Sequence, residues 1–362
     1  MDDSITGGQL PIFQIHPSLR CNLSCKHCYS NSGPTADMTL DVALVCEAVS
    51  DAASLGYRVV SVSGGEPMLY RGLGELLGHS KSIGMLTTVT TNGFFLDRER
   101  LDSLRDRVDL LAISLDGPPA LHNAMRGSTR AFQRMAAGLV NVRRAGIRFG
   151  FIHTLTRYTW EHLLWVAEFA ARNNAILLQI HPLELSGRAV ETMPGDPPAF
   201  DVAGRAYLIA MALLHKYGDC MAIQIDLLHR NTVLERPELV FASDVVNSGG
   251  DTSASMLRAI VLQSNGTIVP VSHGINRRYE ICNVHEQRLA DAWPSYLTQG
   301  HHQFVKLCKR EFDAIREGAH APLFNWHERI VARSNDIKDL LCSTECLHPS
   351  PDRQCASEPS LR

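Results

Sequence analysis

The stretch that decides the fold is residues 12–29, IFQIHPSLRCNLSCKHCY. It opens with a short apolar segment of the kind that forms a buried strand. Three cysteines follow in one loop with the spacing C-x3-C-x2-C, at Cys21, Cys25 and Cys28. Three thiolates in a tight loop can bind three irons of a [4Fe–4S] cluster. The fourth iron then lacks a protein ligand, and an open metal position is a place for chemistry.

A zinc loop is the alternative interpretation of these cysteines. It would need a distant fourth ligand, and His27 is the candidate within the loop. The motifs further along the chain fit the cluster better than they fit zinc.

Outward from this loop, apolar segments alternate with helical patterns as far as residue 183 or so. The segments that predict strands are 13–16, 58–62, 86–90, 110–114, 148–153 and 177–182. The patterns that predict helices lie at about 39–55, 71–82, 97–106, 130–145 and 160–173. Such alternation is typical of βαβ units around a parallel sheet. We therefore predict an α/β fold, a partial (β/α)6 TIM-like barrel.

A second motif follows the second predicted strand. Its sequence is Ser63-Gly64-Gly65-Glu66-Pro67. Paired glycines let the backbone turn sharply and present carbonyl groups to a ligand. Carbonyls and a carboxylate suit an ammonium group, which has only donors. By itself this sequence is more often a turn, but its place one βα unit after the cysteine loop favours a site.

Together the two motifs resemble the radical S-adenosylmethionine (radical SAM) enzymes. The resemblance implies that Cys21, Cys25 and Cys28 bind the cluster and that Tyr29 is the aromatic residue beside it. It implies that the open iron chelates the methionine moiety and that residues 64–67 hold its amino group. One electron then cleaves the sulfonium, and the resulting 5′-deoxyadenosyl radical abstracts a substrate hydrogen.

Weaker motifs follow in the order that the resemblance leads us to expect. Asn92 lies in Thr90-Thr91-Asn92-Gly93, after the third predicted strand. Ser114 and Asp116 end the fourth, and Arg126 comes soon after. By resemblance, Ser114 and Asp116 lie near the ribose and the methionine carboxylate, and Arg126 pairs with that carboxylate. The structural alternatives are a turn for Asn92, a helix N-cap for Asp116 and a surface charge for Arg126.

Polar residues also stand at the ends of the fifth and sixth predicted strands. They are His153, Gln179, His181 and Glu184. Strand carboxyl ends form the active face of such barrels, so these side chains are candidates to contact adenine or substrate. A structural role as satisfied polar residues is equally consistent with the sequence, and no catalytic residue is assigned.

Beyond residue 187 the chain resembles the SPASM branch of the family, which carries auxiliary iron–sulfur clusters. Residues 183–189 (LELSGRA), 265–271 and 279–284 carry this resemblance. Val271 stands where a cysteine is expected and Cys282 where a glycine is expected. An apolar valine cannot bind iron, so we predict a degenerate SPASM-like α+β accessory domain. The predicted domains are a 1–11 extension, a 12–187 barrel and a 188–362 accessory and C-terminal region.

The later cysteines leave a choice open. They are Cys282, Cys308, Cys342, Cys346 and Cys355. One unusual auxiliary cluster could use the last three with either of the others. Buried inert thiols are the preferred interpretation.

Composition excludes several classes of function. The chain has 362 residues, with 35 Lys+Arg against 38 Asp+Glu. No basic excess is available to neutralise a nucleic acid backbone. The longest apolar stretch, around residues 208–214, is too short to span a bilayer. The acidic start is unlike a secretory signal, so we expect a cytoplasmic protein whose ten cysteines are thiols or metal ligands.

The substrate is less constrained than the chemistry. We predict an oxidoreductase or maturase that modifies a ribosomally made peptide, with the same chemistry on a small-molecule cofactor or natural-product precursor as the alternative. A noncatalytic iron–sulfur or zinc protein is the alternative from a different class. About 11 residues precede the barrel, so a peptide substrate would call for a separate leader-peptide-binding protein or direct docking. The expected electron donor is a flavodoxin or ferredoxin.

Overall fold

Six parallel strands from the first half of the chain form the centre of the fold. The computed structural model describes residues 10–240, 257–318 and 321–336. The six strands lie side by side in chain order, each hydrogen-bonded to the next. They are β1 (Ile12–Ile15), β2 (Val59–Val62), β3 (Leu86–Thr91), β4 (Leu110–Ser114), β5 (Phe149–Leu155) and β6 (Leu177–Pro182). Every predicted strand is confirmed to within two residues.

Helices connect these strands, as expected for right-handed βαβ crossovers. They are α1 (Val42–Ser54), α2 (Leu73–Ser82), α3 (Arg98–Leu104), α4 (Pro119–Arg126), α5 (Ala131–Ala145) and α6 (Leu163–Arg172). Asp41 caps α1 by accepting a hydrogen bond from the Ala43 N–H, and Gly146 ends α5 in the left-handed conformation. Helix α4 was not predicted, because its Pro119 start and eight-residue length give a weak pattern.

Residues after 187 add strands to both edges of the same sheet. Strand β7 (Ala222–Ile225) pairs in parallel with β6, and β9 (Ala259–Leu262) pairs in parallel with β1. Strands β9 and β10 (Thr267–Pro270) form an antiparallel hairpin, and β11 (Cys282–Asn283) pairs with β10. The sheet therefore has ten strands and is not closed into a barrel within the described residues.

The rest of the second half is mainly helical. Its remaining elements are α7 (Ala189–Thr192), α8 (Phe200–Tyr217), β8 (Leu228–His229), α9 (Arg230–Glu235), α10 (Leu289–Ser295), α11 (His301–Arg316), β12 (Leu323–Phe324) and α12 (Trp326–Ser334). Asp51 of α1, which is buried, accepts hydrogen bonds from the Arg288 guanidinium and from the Ala290 N–H at the start of α10. This contact fixes the second half of the chain against the first.

One large apolar core runs through both halves. It includes Phe13 of β1, Phe151 of β5, Val261 of β9 and Trp293 of α10. Because the two halves share a sheet and a core, the division at residue 187 stays a prediction. No helix of the described residues is long and apolar enough to cross a membrane.

Candidate active site

The cysteine loop lies at the carboxyl end of β1, and its three thiols share one apolar cluster. Cys21 and Cys25 are buried and Cys28 is partly exposed. The side chains that pack with them are Leu23, Phe94 and Ala131. The structure thus brings together the three cysteines that the sequence singled out. The seven cysteines that it describes are all free thiols, so none of these seven forms a disulfide.

Each sulfur of the loop has a hydrogen-bond donor. The Leu23 N–H and the Asn92 amide donate to Cys21 Sγ at 3.5 and 3.7 Å. Arg126 Nη1 donates to Cys25 Sγ at 3.9 Å, and Ser30 Oγ lies 3.6 Å from Cys28 Sγ. Donors directed at sulfur favour the thiolate form, which is the form that binds iron.

Burial alone would keep two of these thiols protonated. It raises the pKa of Cys21 to about 12 and also raises that of Cys25. A bound metal supplies the positive charge that a buried thiolate needs. In the described residues, no group of three or more His, Cys, Asp or Glu side chains is arranged around a single metal ion. A [4Fe–4S] cluster binds each thiolate to a different iron, so this donor set fits a cluster better than zinc.

His27 does not complete a zinc site with the three thiols among the described residues. Burial and the nearby Arg126 charge lower its pKa to about 4, so it is neutral at pH 7. Its buried Nδ1 has no hydrogen-bond partner among the described residues. It interacts electrostatically with Asp116, His122 and His153. His27 therefore belongs to the polar cluster around Asp116 and Arg126.

Gly64 and Gly65 pack directly against the backbone that leads into the cysteine loop. Gly64 has φ +99°, and a Cβ there would lie 2.8 Å from the Ser18 carbonyl oxygen. A Cβ on Gly65 would lie 2.3 Å from the Arg20 carbonyl oxygen. A side chain at either position would therefore collide with the backbone that leads into the cysteine loop.

Glu66 ties this second motif to the end of β3. Its Oε1 accepts hydrogen bonds from the Met68 N–H at 3.0 Å and from Thr91 Oγ1 at 2.7 Å. Its Oε2 accepts one from the Asn92 N–H at 2.8 Å. Pro67 begins the short 3-10 helix Pro67–Leu69 that Glu66 caps. The buried carboxylate thus has three donors from the protein, and an ammonium group would share it with them.

Asn92 makes the turn contact that the sequence offered as its structural alternative, and it also contacts the cysteine loop. Its Oδ1 accepts a hydrogen bond from the Phe94 N–H at 2.9 Å, which is a turn contact. Its Nδ2 donates to Asn22 Oδ1 at 2.9 Å as well as to Cys21 Sγ. The third motif therefore contacts the cysteine loop directly.

Asp116 and Arg126 form a buried, two-pronged ion pair. Arg126 Nε and Nη2 donate to the two carboxylate oxygens of Asp116 at 2.7 and 3.1 Å. Burial opposes ionisation of Asp116, but the Arg126 charge holds the pKa of that carboxyl well below its usual range. Ser114 is buried next to this pair at the end of β4.

Both structural alternatives for this pair are wrong. Pro118 is the N-cap of α4, so Asp116 is not, and Arg126 is only 8% exposed, so it is no surface charge. The expected partner of Arg126 was a methionine carboxylate. In this structure its partners are Asp116 and Cys25.

Two buried histidines flank the ion pair. His122 Nδ1 accepts a hydrogen bond from the Asp116 N–H at 3.2 Å, and His153 Nδ1 lies 3.1 Å from the Leu115 carbonyl oxygen. Burial lowers the pKa of each to about 4. Both therefore remain neutral beside the charged pair of Asp116 and Arg126.

Tyr29 contacts the ends of β1 and β2. Its hydroxyl is 3.1 Å from Ser63 Oγ and 3.3 Å from His16 Nε2. The rings of Tyr29, His16 and His273 are mutual neighbours, with centroids 5.1 to 5.7 Å apart. These rings come from the cysteine loop, the end of β1 and the segment after β10. Residues from both halves of the chain thus meet beside the loop.

A second polar group lies at the ends of β6 and β7. His181 is held between two carboxylates, with Nδ1 2.8 Å from Asp226 Oδ2 and Nε2 3.2 Å from Glu184 Oε1. Gln179 also donates to Asp226, at 2.7 Å. Burial opposes protonation, but the two carboxylates raise the pKa of His181 to about 10. The trio carries one positive and two negative charges at pH 7.

A cavity of about 530 Å³ is lined by residues adjacent in sequence to this trio. Its walls include Pro182 and Leu227, which follow His181 and Asp226 in the chain, and Glu328 of α12. Burial raises the pKa of Glu328 to about 7. The cavity therefore has a titratable wall supplied by the second half of the chain.

The expected inertness of the later cysteines agrees with their surroundings where they are described. Cys282 and Cys308 are buried, and burial raises the pKa of Cys282 to about 12. Val271 has φ +65°, which is rare for a β-branched residue. Cys342, Cys346 and Cys355 lie outside the described residues.

Sequence reasoning missed four residues of these groups: His16, His122, Asp226 and His273. His16 could have been found, because it directly follows β1. His153 and His181 were named for a similar position near the ends of β5 and β6. Asp226 follows β7, a strand that was not predicted. His273 reaches the loop only because β9 pairs with β1.

The chain is similar in sequence and in fold to known proteins. Residues 15–170 match the model of the Radical SAM superfamily. Residues 15–170 are a radical SAM domain. Radical SAM proteins are enzymes, and their cofactors, a [4Fe–4S] cluster and S-adenosylmethionine, are the cofactors of this domain. The match covers β1 to α6 and includes all three cysteines of the loop.

Two curated relatives come from Methanosarcina barkeri (strain Fusaro / DSM 804). Fe-coproporphyrin III synthase is 32% identical over 152 residues, which are 41% of this chain and 37% of the relative. AdoMet-dependent heme synthase is 30% identical over 186 residues, which are 50% of this chain and 53% of the relative. The chain thus spans about half or less of the length of these relatives.

Solved structures of Streptococcus suis SuiB are similar over more of the chain. SuiB bound to S-adenosylmethionine has a TM-score of 0.65 and 18% identity, covering 83% of this chain and 68% of SuiB. SuiB bound to its precursor peptide SuiA has a TM-score of 0.60 and 17% identity, covering 79% and 65%. At this identity the likeness shows the fold, a mostly parallel α/β sheet that carries the radical SAM domain.

Proposed function

We propose that this radical SAM domain cleaves S-adenosylmethionine reductively and uses the product radical to abstract a hydrogen atom from a substrate. The observation that carries the proposal is the convergence of four separate loops. The cysteine loop, residues 63–67, Asn92 and the Asp116–Arg126 pair follow β1, β2, β3 and β4, and hydrogen bonds connect the cysteine loop to each of the other three. A cluster and its cosubstrate, when bound here, would supply one-electron cleavage of the sulfonium.

The cysteines and their donors would hold the cluster. We assign Cys21, Cys25 and Cys28 as its ligands and Tyr29 as the neighbouring aromatic residue. Residues 64–67 would bind the methionine amino group, with the Glu66 carboxylate as its main acceptor. Arg126 would bind the methionine carboxylate while it keeps Asp116, with Asn92 and Ser114 close by. Each assignment requires the polar groups of the loops to remain in the positions described above.

The test is production of 5′-deoxyadenosine by the full chain after anaerobic reconstitution with iron, sulfide and a strong reductant. We expect production by the wild type and none by the C21A/C25A/C28A variant. The matched control is C46A/C220A, which removes two described thiols outside the loop and should leave production intact. Undiminished production by the loop variant would refute the assignment of the cluster ligands.

For the substrate, we propose a ribosomally made peptide bound between the strand ends and the second half of the chain. The 530 Å³ cavity is open to one side, and α12 together with the end of β6 forms its walls. A separate leader-peptide-binding protein would then present the peptide, and a flavodoxin or ferredoxin would supply the electron. A cytoplasmic location suits both partners and the free thiols.

A small-molecule substrate is the second candidate, and a specific observation favours it. The two curated relatives are named as synthases of an iron tetrapyrrole. The two candidates can be distinguished by incubating the reconstituted chain with a precursor peptide encoded beside its gene. A mass change in the peptide that depends on S-adenosylmethionine supports the peptide substrate. Absence of a mass change, with cosubstrate cleavage stimulated by a coproporphyrin, favours the small molecule.

For the region after residue 187, we propose a degenerate SPASM-like domain without an auxiliary cluster. Val271 occupies the position of an expected ligand, and Cys282 and Cys308 are buried in apolar surroundings. The proposed boundary at residue 187 then separates the cofactor-binding sequence from the sequence that covers the substrate. It does not separate two sheets.

A further inference from the structure

The chain leaves β6 by passing over the cysteine loop, and residues 186–192, the exit segment, contact that loop closely. Gly187 has φ +55°, and a Cβ there would lie 2.4 Å from the Tyr29 carbonyl oxygen. Thr192 Oγ1 donates to the Lys26 carbonyl at 2.6 Å, and Ser186 Oγ donates to the Tyr29 carbonyl at 3.3 Å. The exit segment therefore holds the loop through its backbone.

Arg188 makes the most extensive of these contacts. Its backbone N–H donates to the Cys28 carbonyl at 2.8 Å. Its guanidinium donates through Nη1 to the Cys25 carbonyl at 2.8 Å and through Nη2 to the Ser32 carbonyl at 2.7 Å. One side chain thus bridges two carbonyls on either side of Cys28. Only a planar fork of donors can do this with fixed geometry.

The loop has little regular structure of its own to hold this shape. Residues 21–32, all within the described part of the chain, form neither a helix nor a strand. The backbone bond from the Cys28 N–H to the Cys25 carbonyl is long, at 3.4 Å. Other backbone bonds lead out of the loop, to Gly33 from Cys21 and to Met125 from Lys26. The positions of Cys25 and Cys28 therefore depend on contacts from elsewhere.

We propose that Arg188 is a positioning residue for the cluster: it holds Cys25 and Cys28 in the arrangement that binds iron and so slows release of the cluster. The inference rests on the proposed function, because it assumes that these cysteines are the ligands. The physical reason is preorganisation. A loop already fixed by three hydrogen bonds loses less conformational freedom when iron binds than a free loop does.

The experiment measures iron release from the reconstituted full chain after addition of a ferrous-iron chelator. Residues that orient metal ligands typically change metal affinity by about 10–100-fold. We expect R188A to release iron at least about tenfold faster than the wild type. R188K should fall between the two, because a single ammonium cannot span both carbonyls in a fork.

R107A is the matched control, since Arg107 Nη1 also donates to a backbone carbonyl, that of Gly74, at 3.1 Å away from the loop. Its release rate should stay within about twofold of the wild type, the ordinary consequence of losing one surface contact. The electron paramagnetic resonance spectrum of the reduced cluster gives a second measurement. It should broaden or shift in R188A and stay unchanged in R107A, whereas a general loss of stability would leave the spectrum of the intact cluster as it is.

Equal release rates and identical spectra for wild type and R188A would overturn the inference. If R188A does not fold, T192V takes its place, since it removes only the hydroxyl that binds the Lys26 carbonyl. T192V should release iron faster than wild type, and an unchanged rate would then count as the contrary result. A wild type that binds no cluster would overturn the proposed function as well. A wild type that does, with variants that behave alike, would overturn only the role of Arg188.

Discussion

The two polar regions at the strand ends differ in how far their charged side chains are exposed to solvent. Beside the cysteine loop, Asp116 and Arg126 are buried and paired with two hydrogen bonds. At the ends of β6 and β7, His181, Glu184 and Asp226 keep side-chain exposures of 33%, 17% and 19%. The ion pair of the first region is closed off from solvent. The second region is partly exposed, and Pro182 and Leu227, which follow His181 and Asp226 in the chain, line a cavity.

This difference suits two kinds of binding site: one for a cofactor that is the same throughout a family, and one for a substrate that differs between its members. A cofactor common to a superfamily needs fixed groups, and buried pairs with two hydrogen bonds supply them. A substrate-facing wall needs groups that are anchored yet still accessible, as the His181 trio is. The comparison therefore supports the proposal that the cosubstrate binds beside β1 to β4 and the substrate beside β6 and β7.

The largest effect should come from breaking the buried pair of the first region. In D116N the Arg126 guanidinium loses its counter-charge in a buried position, which typically costs about 3–5 kcal/mol of unfolding free energy. Chemical denaturation of the apo protein measures it. The control is D102N, which removes an exposed carboxylate that lies between Arg98 and Arg105 and should cost less than about 1 kcal/mol. Equal costs for both variants would erase the distinction between the regions.

A smaller effect is expected from the contact between the second motif and the cysteine loop. In G65A the new Cβ would lie 2.3 Å from the Arg20 carbonyl, so the loop must move. Overpacking of this kind typically costs about 1–3 kcal/mol, and iron content after reconstitution should fall with it. Gly204 of α8 is the control, because a Cβ there meets no described atom within 4 Å. G204A should be neutral or slightly stabilising, and full iron loading of G65A would contradict the expectation.

The open region should be distinguished by pH. Because the folded-state pKa of His181 is raised to about 10 from 6.5, its contribution to stability is complete below pH 6.5. That contribution is lost as the pH rises from 6.5 towards 10. Glu184 and Asp226, whose pKa values are lowered, contribute above their ordinary values and lose this as the pH falls. His327 and Glu328 also interact electrostatically with Glu184.

H181F should therefore flatten the stability profile between pH 6.5 and 10. Thermal unfolding across that range measures the profile. H302F, which changes an exposed histidine of α11, should keep the slope of the wild type. A wild-type slope retained in H181F would show that the trio does not act as described.

The smallest effect should follow from removing the thiols of the second half. C282A/C308A should keep the wild-type iron content of about four per chain, the amount in one cluster. Iron and sulfide analysis makes this comparison directly. A loss of iron in this variant would mean that the second half binds a cluster, and that the two regions share the same chemistry.

Sequence alone predicted the parts of the fold that depend on local pattern. The six strands and the cysteine loop follow from short apolar segments and from residue spacing, and these features survive in the structure. The three cysteines, Glu66, Asn92, Asp116 and Arg126 were named in advance from their motifs, whereas His16, His122 and His273 were not. The pairing within the region was not predicted either, since Arg126 was expected to face a ligand and is bound to Asp116.

The second region was much less predictable. Asp226 depends on β7, whose four residues alternate weakly. Two residues beside the cysteine loop were missed for a related reason. His273 depends on β9 pairing with β1. Arg188 showed no feature beyond a family resemblance, although it makes three hydrogen bonds to the cysteine loop. Contacts of this kind arise from pairing between distant segments, and no local pattern encodes them.

The parallel pairing of β1 with β9 also has a consequence for biosynthesis. Ile12 lies opposite Ala259, and the His16 N–H donates to the Leu262 carbonyl at 2.8 Å. The strand that anchors the cysteine loop thus lacks one neighbour until most of the chain has left the ribosome. Pairing between segments so distant in sequence is slow, because a long connection must close first. We therefore expect iron delivery to this protein to follow translation, on a chain whose β9 has already docked beside β1.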